Sequence, residues 1–190
     1  MGQNVVRKVL LLPHITNIQI DADSLSQVRL ETIAGSELSL VAVMEGEYKK
    51  DLSIELVEEG NTLRARAGIQ PFFIQPNDKL SAHKVISISL SIGVPEDRIV
   101  FLYGNSARVS ASGNYKDLKI VLSDGQCTLK DVGDQISVTT QSGKIELYTA
   151  SGSIEVNTKY GRVIRDSIPK GENNFVLQSN SGNITIRSLE

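Results

Sequence analysis

Counted by nines from Arg98, the chain repeats a single pattern. Units begin at 98, 107, 116, 125, 134, 143, 152 and 161 and, after a three-residue slip, at 173 and 182. Each unit reads x-x-Φ-x-Φ, with Φ apolar. The first Φ is Val100, Val109, Leu118, Cys127, Ile136, Ile145, Ile154, Val163, Phe175 and Ile184. The second is Leu102, Ala111, Ile120, Leu129, Val138, Leu147, Val156, Arg165, Leu177 and Ile186. Arg165 is the one charged exception. A short fixed period with alternating polarity marks stacked β-strands, each too small to bury its apolar face alone. The fold expected is all-β. Residues 96–190 form a single-stranded β-helix, or solenoid, of nine-residue strand-turn units. A strand-rich part over 1–95 caps it or continues into it, the whole forming one continuous elongated domain.

Within a unit such as Gly143-Lys144-Ile145-Glu146-Leu147, period-two alternation sends Ile and Leu to one face and Lys and Glu to the other. The residues between are small and polar, as in Tyr148-Thr149-Ala150-Ser151, and suit a corner. Gly opens five units (Gly125, Gly143, Gly152, Gly161 and Gly182), and Asp134 and Asn173 open two more. These residue types tolerate left-handed backbone, so positive φ is expected where units begin. Each coil takes two or three units, a choice the sequence leaves open. At ~4.8 Å per strand the ten units rise about 16 to 24 Å.

The first half alternates without the nine-residue beat. Ile18, Ile20 and Ala22 form one inward set. Val28 with Leu30, Leu38 to Met44, Leu52 to Leu56, and Ile86 to Ile92 form others. An antiparallel arrangement is expected, with hairpin links at Ala34-Gly35-Ser36-Glu37 and Glu58-Glu59-Gly60-Asn61. It runs into the repeats near Pro95. Residues 70–84 are irregular; Phe72 and Phe73 there read as a plug closing one end of the stack, with an exposed recognition patch as the alternative. Residues 166–172 hold the slip and read as a loop bulging from a corner.

A formal charge of −2 predicts no broad affinity for nucleic acid or anionic lipid. The lone Cys127 falls on an inward position and reads as buried filler. No run approaches the roughly 18 apolar residues of a membrane span. No apolar signal region is visible. The terminal Met1-Gly2 and Leu189-Glu190 are consistent with a trimmed chain. An extracytoplasmic location, periplasm or cell surface, is expected on the assumption that an export signal preceded Gln3; the cytoplasm is the alternative.

Gly-Val-Pro-Glu-Asp at 93–97 leads into Ser-Gly-Asn, Ser-Asp-Gly, Gln-Ser-Gly-Lys-Ile-Glu-Leu and Ala-Ser-Gly-Ser-Ile-Glu-Val, and Ser-Asn-Ser-Gly-Asn-Ile-Thr-Ile follows at 179–186. This resembles the bacterial putative adhesin family with β-strand repeats, well over 93–190 and more loosely over 14–92. The resemblance implies a single-stranded β-helix outside the cytoplasm or facing outwards from the membrane. It implies no shared active residues, so none is carried over.

No catalytic, cofactor-binding or metal-binding residue is assigned. His14 and His83 lie far apart, without metal-ligand spacing. Asp124, Asp131 and Asp134 lie close together but lack the Gly-Gly-x-Gly-x-Asp of calcium rolls, and read as turn formers. Glu146 and Glu155 sit one unit apart; on adjacent strands they would stand about 5 Å apart, as a carboxylate pair or as part of a charge ladder. Arg165 reads as a register break rather than a buried ion pair. Tyr103, Tyr115, Tyr148 and Tyr160 read as corner packing. The expected function is a non-catalytic cell-envelope protein, structural or adhesive, with an unidentified envelope glycan or protein as partner. A cytoplasmic scaffold that self-associates weakly through the stack ends is the first alternative. A carbohydrate-active enzyme is the second.

Overall fold

The computed structural model describes residues 3–46, 51–69 and 86–189. Phe72, Phe73 and His83 lie outside them. Among the described residues there is no helix. Within these residues fifteen strands form one mixed sheet that does not close on itself. They are β1 (Gln3–Leu10), β2 (Asn17–Asp21), β3 (Gln27–Ile33), β4 (Glu37–Glu45), β5 (Leu52–Glu59), β6 (Thr62–Ile69), β7 (Ser87–Pro95) and β8 (Ile99–Gly104). Then follow β9 (Arg108–Leu122), β10 (Cys127–Thr140), β11 (Ile145–Thr149), β12 (Ser153–Thr158), β13 (Val163–Arg165), β14 (Asn174–Ser179) and β15 (Ile184–Ser188).

The sheet has two branches. One runs β1-β4-β7-β3-β9-β10-β11-β15-β13. The other runs β5-β6-β2-β8-β9-β10-β14-β12. The long strands β9 and β10 serve both, turning between them at corners where Gly113, Asp131 and Asp134 take positive φ. The inward side chains of both branches join one apolar core.

The nine-residue units alternate between the branches. From β8 to β11 each therefore pairs in parallel with the unit eighteen residues away, as in Val109–Cys127–Ile145 on one branch and Val100–Leu118–Ile136 on the other. The pattern reaches back before Pro95, since Ile18 is in register with Val100 and Val28 with Val109.

The last units do not stack in chain order. β14 lies between β10 and β12, and β15 lies between β11 and β13. Arg165 gives the physical reason. Sequential stacking would put this guanidinium inside, against Leu147 and Ile186, where an unpaired charge is expensive. Interposing β15 puts β13 on the outer edge, with Arg165 exposed beside Ile186. The wholly apolar unit of Ile184 and Ile186 takes the inner place beside β11, with both side chains buried. The 166–172 segment thus carries the chain back by one strand. Asp166 pins it, accepting hydrogen bonds from the Ser188 N–H at 3.2 Å and from Arg187 Nη1 at 2.9 Å. The Ser188 N–H first, then Arg187, hold its carboxyl below the usual range.

The glycine expectation needs correcting. Gly125, Gly143, Gly161 and Gly182 do not take positive φ. They form one corner column in which each leaves room for a neighbouring backbone. A Cβ on Gly125 would lie 2.3 Å from Ala107 O, on Gly143 1.7 Å from Gly125 O, and on Gly182 2.1 Å from Gly143 O. On Gly161 it would lie 2.1 Å from Gly182 O. Small size, not left-handed freedom, is what the column selects. Beside it runs a satisfied buried chain of donors: Gly182 N–H to Ser179 Oγ, Ser179 to Thr140, and Thr140 to the Gly143 carbonyl.

The first half is only partly antiparallel. β1–β4, β4–β7 and β5–β6 are antiparallel; β2 and β3 have parallel neighbours. The 58–61 link is a hairpin, closed by Gly60 at φ 62°. The 34–37 link is not, because β7 lies between β3 and β4.

Candidate binding surface

The carboxylates singled out by spacing stay apart. Glu146 lies on the first branch between Thr128 and Thr185, and Glu155 lies on the second beside Val176. Glu146 is occupied by Lys144, by Gln126 Nε2 at 3.2 Å and by Thr128 Oγ1 at 3.4 Å. Asp124 accepts from Ser106 Oγ at 2.7 Å, and the Asp134 N–H donates to Asn173 Oδ1 at 3.0 Å. His14 meets Glu58 at 2.9 Å. Among the described residues no three His, Cys, Asp or Glu side chains are grouped to hold a metal ion, and no helix is long and apolar enough to cross a membrane. Cys127 is fully buried between Val109 and Ile145, and burial pushes its thiol up to about 12.

The tyrosines divide. Tyr115 is buried at a corner and donates to Ser112 O at 2.8 Å; burial, then the charge of Glu31, raises its phenol above the ordinary range. Tyr160 is 69% exposed, with Lys159 Nζ 4.9 Å from its ring centre. Tyr148 and Tyr103 point outward from β11 and β8, half-buried, rather than packing into corners.

Tyr103 is the residue around which a surface is built. In β8, Val100 and Leu102 go to the core, so Phe101 and Tyr103 emerge together on the outer face. Their ring centroids are 5.5 Å apart and tilted by 37°. Lys119 Nζ lies 5.6 Å from the Phe101 ring centre. Strand register sets Tyr103 in a lateral row of outward side chains: Arg66, Asp21, Tyr103, Val121, Thr139 and Gln178. Hollows open on both sides of it. One, of about 370 Å³, is lined by Asp23, Tyr103, Asn105, Ser123, Thr139 and Gln141 among others. The second, of about 300 Å³, is lined by Gln19, Asp21, Glu55, Arg64, Arg66 and Tyr103 among others. Beneath the row, Ile20, Leu102, Ile120 and Val138 are fully buried, so the outer side chains stand on a packed base. The x-x-Φ-x-Φ pattern already assigns Phe101 and Tyr103 to the outside. Their neighbours from β2 and β6 come from far along the chain, where no repeat announces the register.

No family model matches the sequence, and no curated protein matches it. Among solved structures, the chain is similar to a putative cell adhesion protein from Clostridium sporogenes, at 13% identity and a TM-score of 0.67, over 98% of this chain and 100% of the other. A putative adhesin from Bacteroides fragilis matches at 12% identity and a TM-score of 0.32, over 98% and 97% of the two chains. A putative lipid binding protein from Parabacteroides distasonis matches at 12% identity and a TM-score of 0.31, with the same coverage. The Clostridium likeness is one of fold.

Proposed function

We propose that this chain is a non-catalytic module of the bacterial cell envelope, extracytoplasmic, structural or adhesive. It acts through the outer faces of a single-stranded β-helix with two nine-residue units per turn. One observation carries the reading. Parallel units spaced eighteen residues apart present continuous rows of outward side chains over an apolar core, with the Phe101–Tyr103 pair set into one row. Such a rigid, repeated surface suits recognition of an extended partner, because little conformational entropy is lost on binding. The cell adhesion name of the Clostridium sporogenes structure, which shares the fold, supports it. Fractionation of the native protein in its host, together with adherence of protein-coated beads to bacterial and host-cell surfaces, tests the reading. Envelope recovery and specific adherence are expected. Cytoplasmic recovery without adherence overturns it.

A second reading, a self-associating scaffold, has its own observation. The exposed large apolar residues of the described chain lie on outermost strands or next to them: Val6, Leu10 and Leu12 at β1, Val57 on β5, and Tyr160, Val163 and Ile164 around β13. Open strand edges with apolar side chains favour end-to-end pairing. Sedimentation velocity across a concentration series separates the two; a strict monomer rules out the scaffold. The separation of Glu146 from Glu155 removes the pair on which a glycan-cleaving enzyme was considered.

A further inference from the structure

We infer that the row around Tyr103 binds an uncharged, linear oligosaccharide. This names the ligand class of the adhesive reading above and rests on it.

Three features of the surface select that chemistry. The first is the aromatic platform. A pyranose ring presents a face of C–H groups that packs against an aromatic ring, while its hydroxyls stay at the rim. Phe101 and Tyr103 are the aromatic pair of this outer face, and the Lys119 ammonium already sits against Phe101. Tyr103 lines both hollows, so a chain crossing its ring would enter one on each side.

The second is the polar lining. The first hollow offers Asn105, Ser123, Thr139 and Gln141, neutral groups that donate and accept, as sugar hydroxyls do. Asp21 and Asp23 offer carboxylate acceptors on the same face. In the lateral row Asp21, Tyr103, Val121 and Thr139 stand on successive strands. Three strand spacings make about 14 Å, an extended footprint rather than a compact pocket.

The third is charge. Lining the hollows are four carboxylates, Asp21, Asp23, Glu55 and Glu59, against two guanidinium groups, Arg64 and Arg66. Arg64 is paired with Glu59 at 3.2 Å. The balance is acidic, which opposes a polyanionic glycan. A peptide is disfavoured as well, because the row lies in the middle of the sheet, where β2, β8 and β9 pair with one another and leave no free edge for an added strand.

The chain contains no tryptophan, so Tyr103→Trp introduces a single fluorophore that keeps the platform. Its emission is titrated with cellohexaose, maltohexaose and chitohexaose, with hexagalacturonate as the charged comparison. Saturation-transfer NMR on the unsubstituted protein runs in parallel. At least one neutral hexaose is expected to shift the emission saturably and to bind the unsubstituted protein at about 1 mM or tighter. Tyr103→Ala should weaken that binding about tenfold or more, and Tyr103→Phe should restore most of it. Val163→Ser, on the far edge strand, should leave it unchanged. Failure of all three neutral hexaoses to bind overturns the inference. So does equal binding by Tyr103→Ala, or tighter binding of hexagalacturonate. Bead adherence distinguishes what falls. Adherence without sugar binding leaves the adhesive reading standing with a protein partner; loss of both removes both.

Discussion

Ile145 lies in register with Ile184 on the adjacent strand, and Val163, eighteen residues on from Ile145, stands one strand further out. β12 and β13 therefore pair with the sheet only through β14 and β15. A chain truncated after Gly171 should keep 99–149 protected in hydrogen exchange and lose protection over 153–165. Protection retained there would mean that β12 and β13 dock directly on β10 and β11. Adding Arg165→Leu to the truncated chain should favour that direct docking, because the charge that forbids the inner position is gone.

Phe175 is 1% exposed, in register with Ile136 on one side and Ile154 on the other, whereas Ile154 is only half-buried on its edge strand. Phe175→Ala should cost about 3–5 kcal/mol in urea unfolding. Ile154→Asp, which would be severe at an inner position, should cost only about 1–2 kcal/mol, since its carboxylate reaches water. Glu155→Ala should fall within about 0.5 kcal/mol.

Gly143→Ala would set a methyl group 1.7 Å from the Gly125 carbonyl oxygen, with backbone on both sides of the contact. A loss near the top of the ~0.5–3 kcal/mol range, or beyond it, is expected. Gly68→Ala meets only Ser24, at 3.8 Å, and should be near neutral. Thermal melts of the two variants side by side give the contrast.

Burial raises the Cys127 thiol from its ordinary 9.0 to about 12. The unfolded chain then releases this proton at lower pH than the folded one. The stabilisation is complete below pH 9 and fades as pH rises towards about 12. The expected slope is about −1.4 kcal/mol per pH unit inside that window. Cys127→Ala should flatten it, and Tyr115, shifted the same way, should leave a residual slope at the alkaline end. Native protein at pH 8 should resist thiol reagents until denaturant is added.

Much of the strand content and core was legible because alternation is a local property. Val100 and Leu102, or Ile145 and Leu147, declare their inward side within five residues, and all four are buried. The order of strands was less legible. The slip at 166–172 announced a loop, but not that the loop leads back under β12. Arg165 carried that information, yet as a single charged residue it equally fits a strand that has ended. Gly125 and Gly143 were visible as a period, but the reason for glycine, a carbonyl at the neighbouring corner, is a contact between residues eighteen apart. The candidate surface was half legible. Phe101 and Tyr103 follow from the pattern, while Gln19, Asp21 and Arg64 join them through pairings of β2 and β6 that no repeat dictates.

The interposed strands also set a schedule. During synthesis residues 153–165 emerge before 174–188, the strands that must carry them. At about 5–20 residues per second, Ile154 and Val156 wait a second or more with no berth beside them. Over that interval the growing chain holds a sticky, unpaired hairpin-sized segment. A chaperone, or a neighbouring copy, would find both of its edges open then; in the finished sheet β14 and β15 cover one of them.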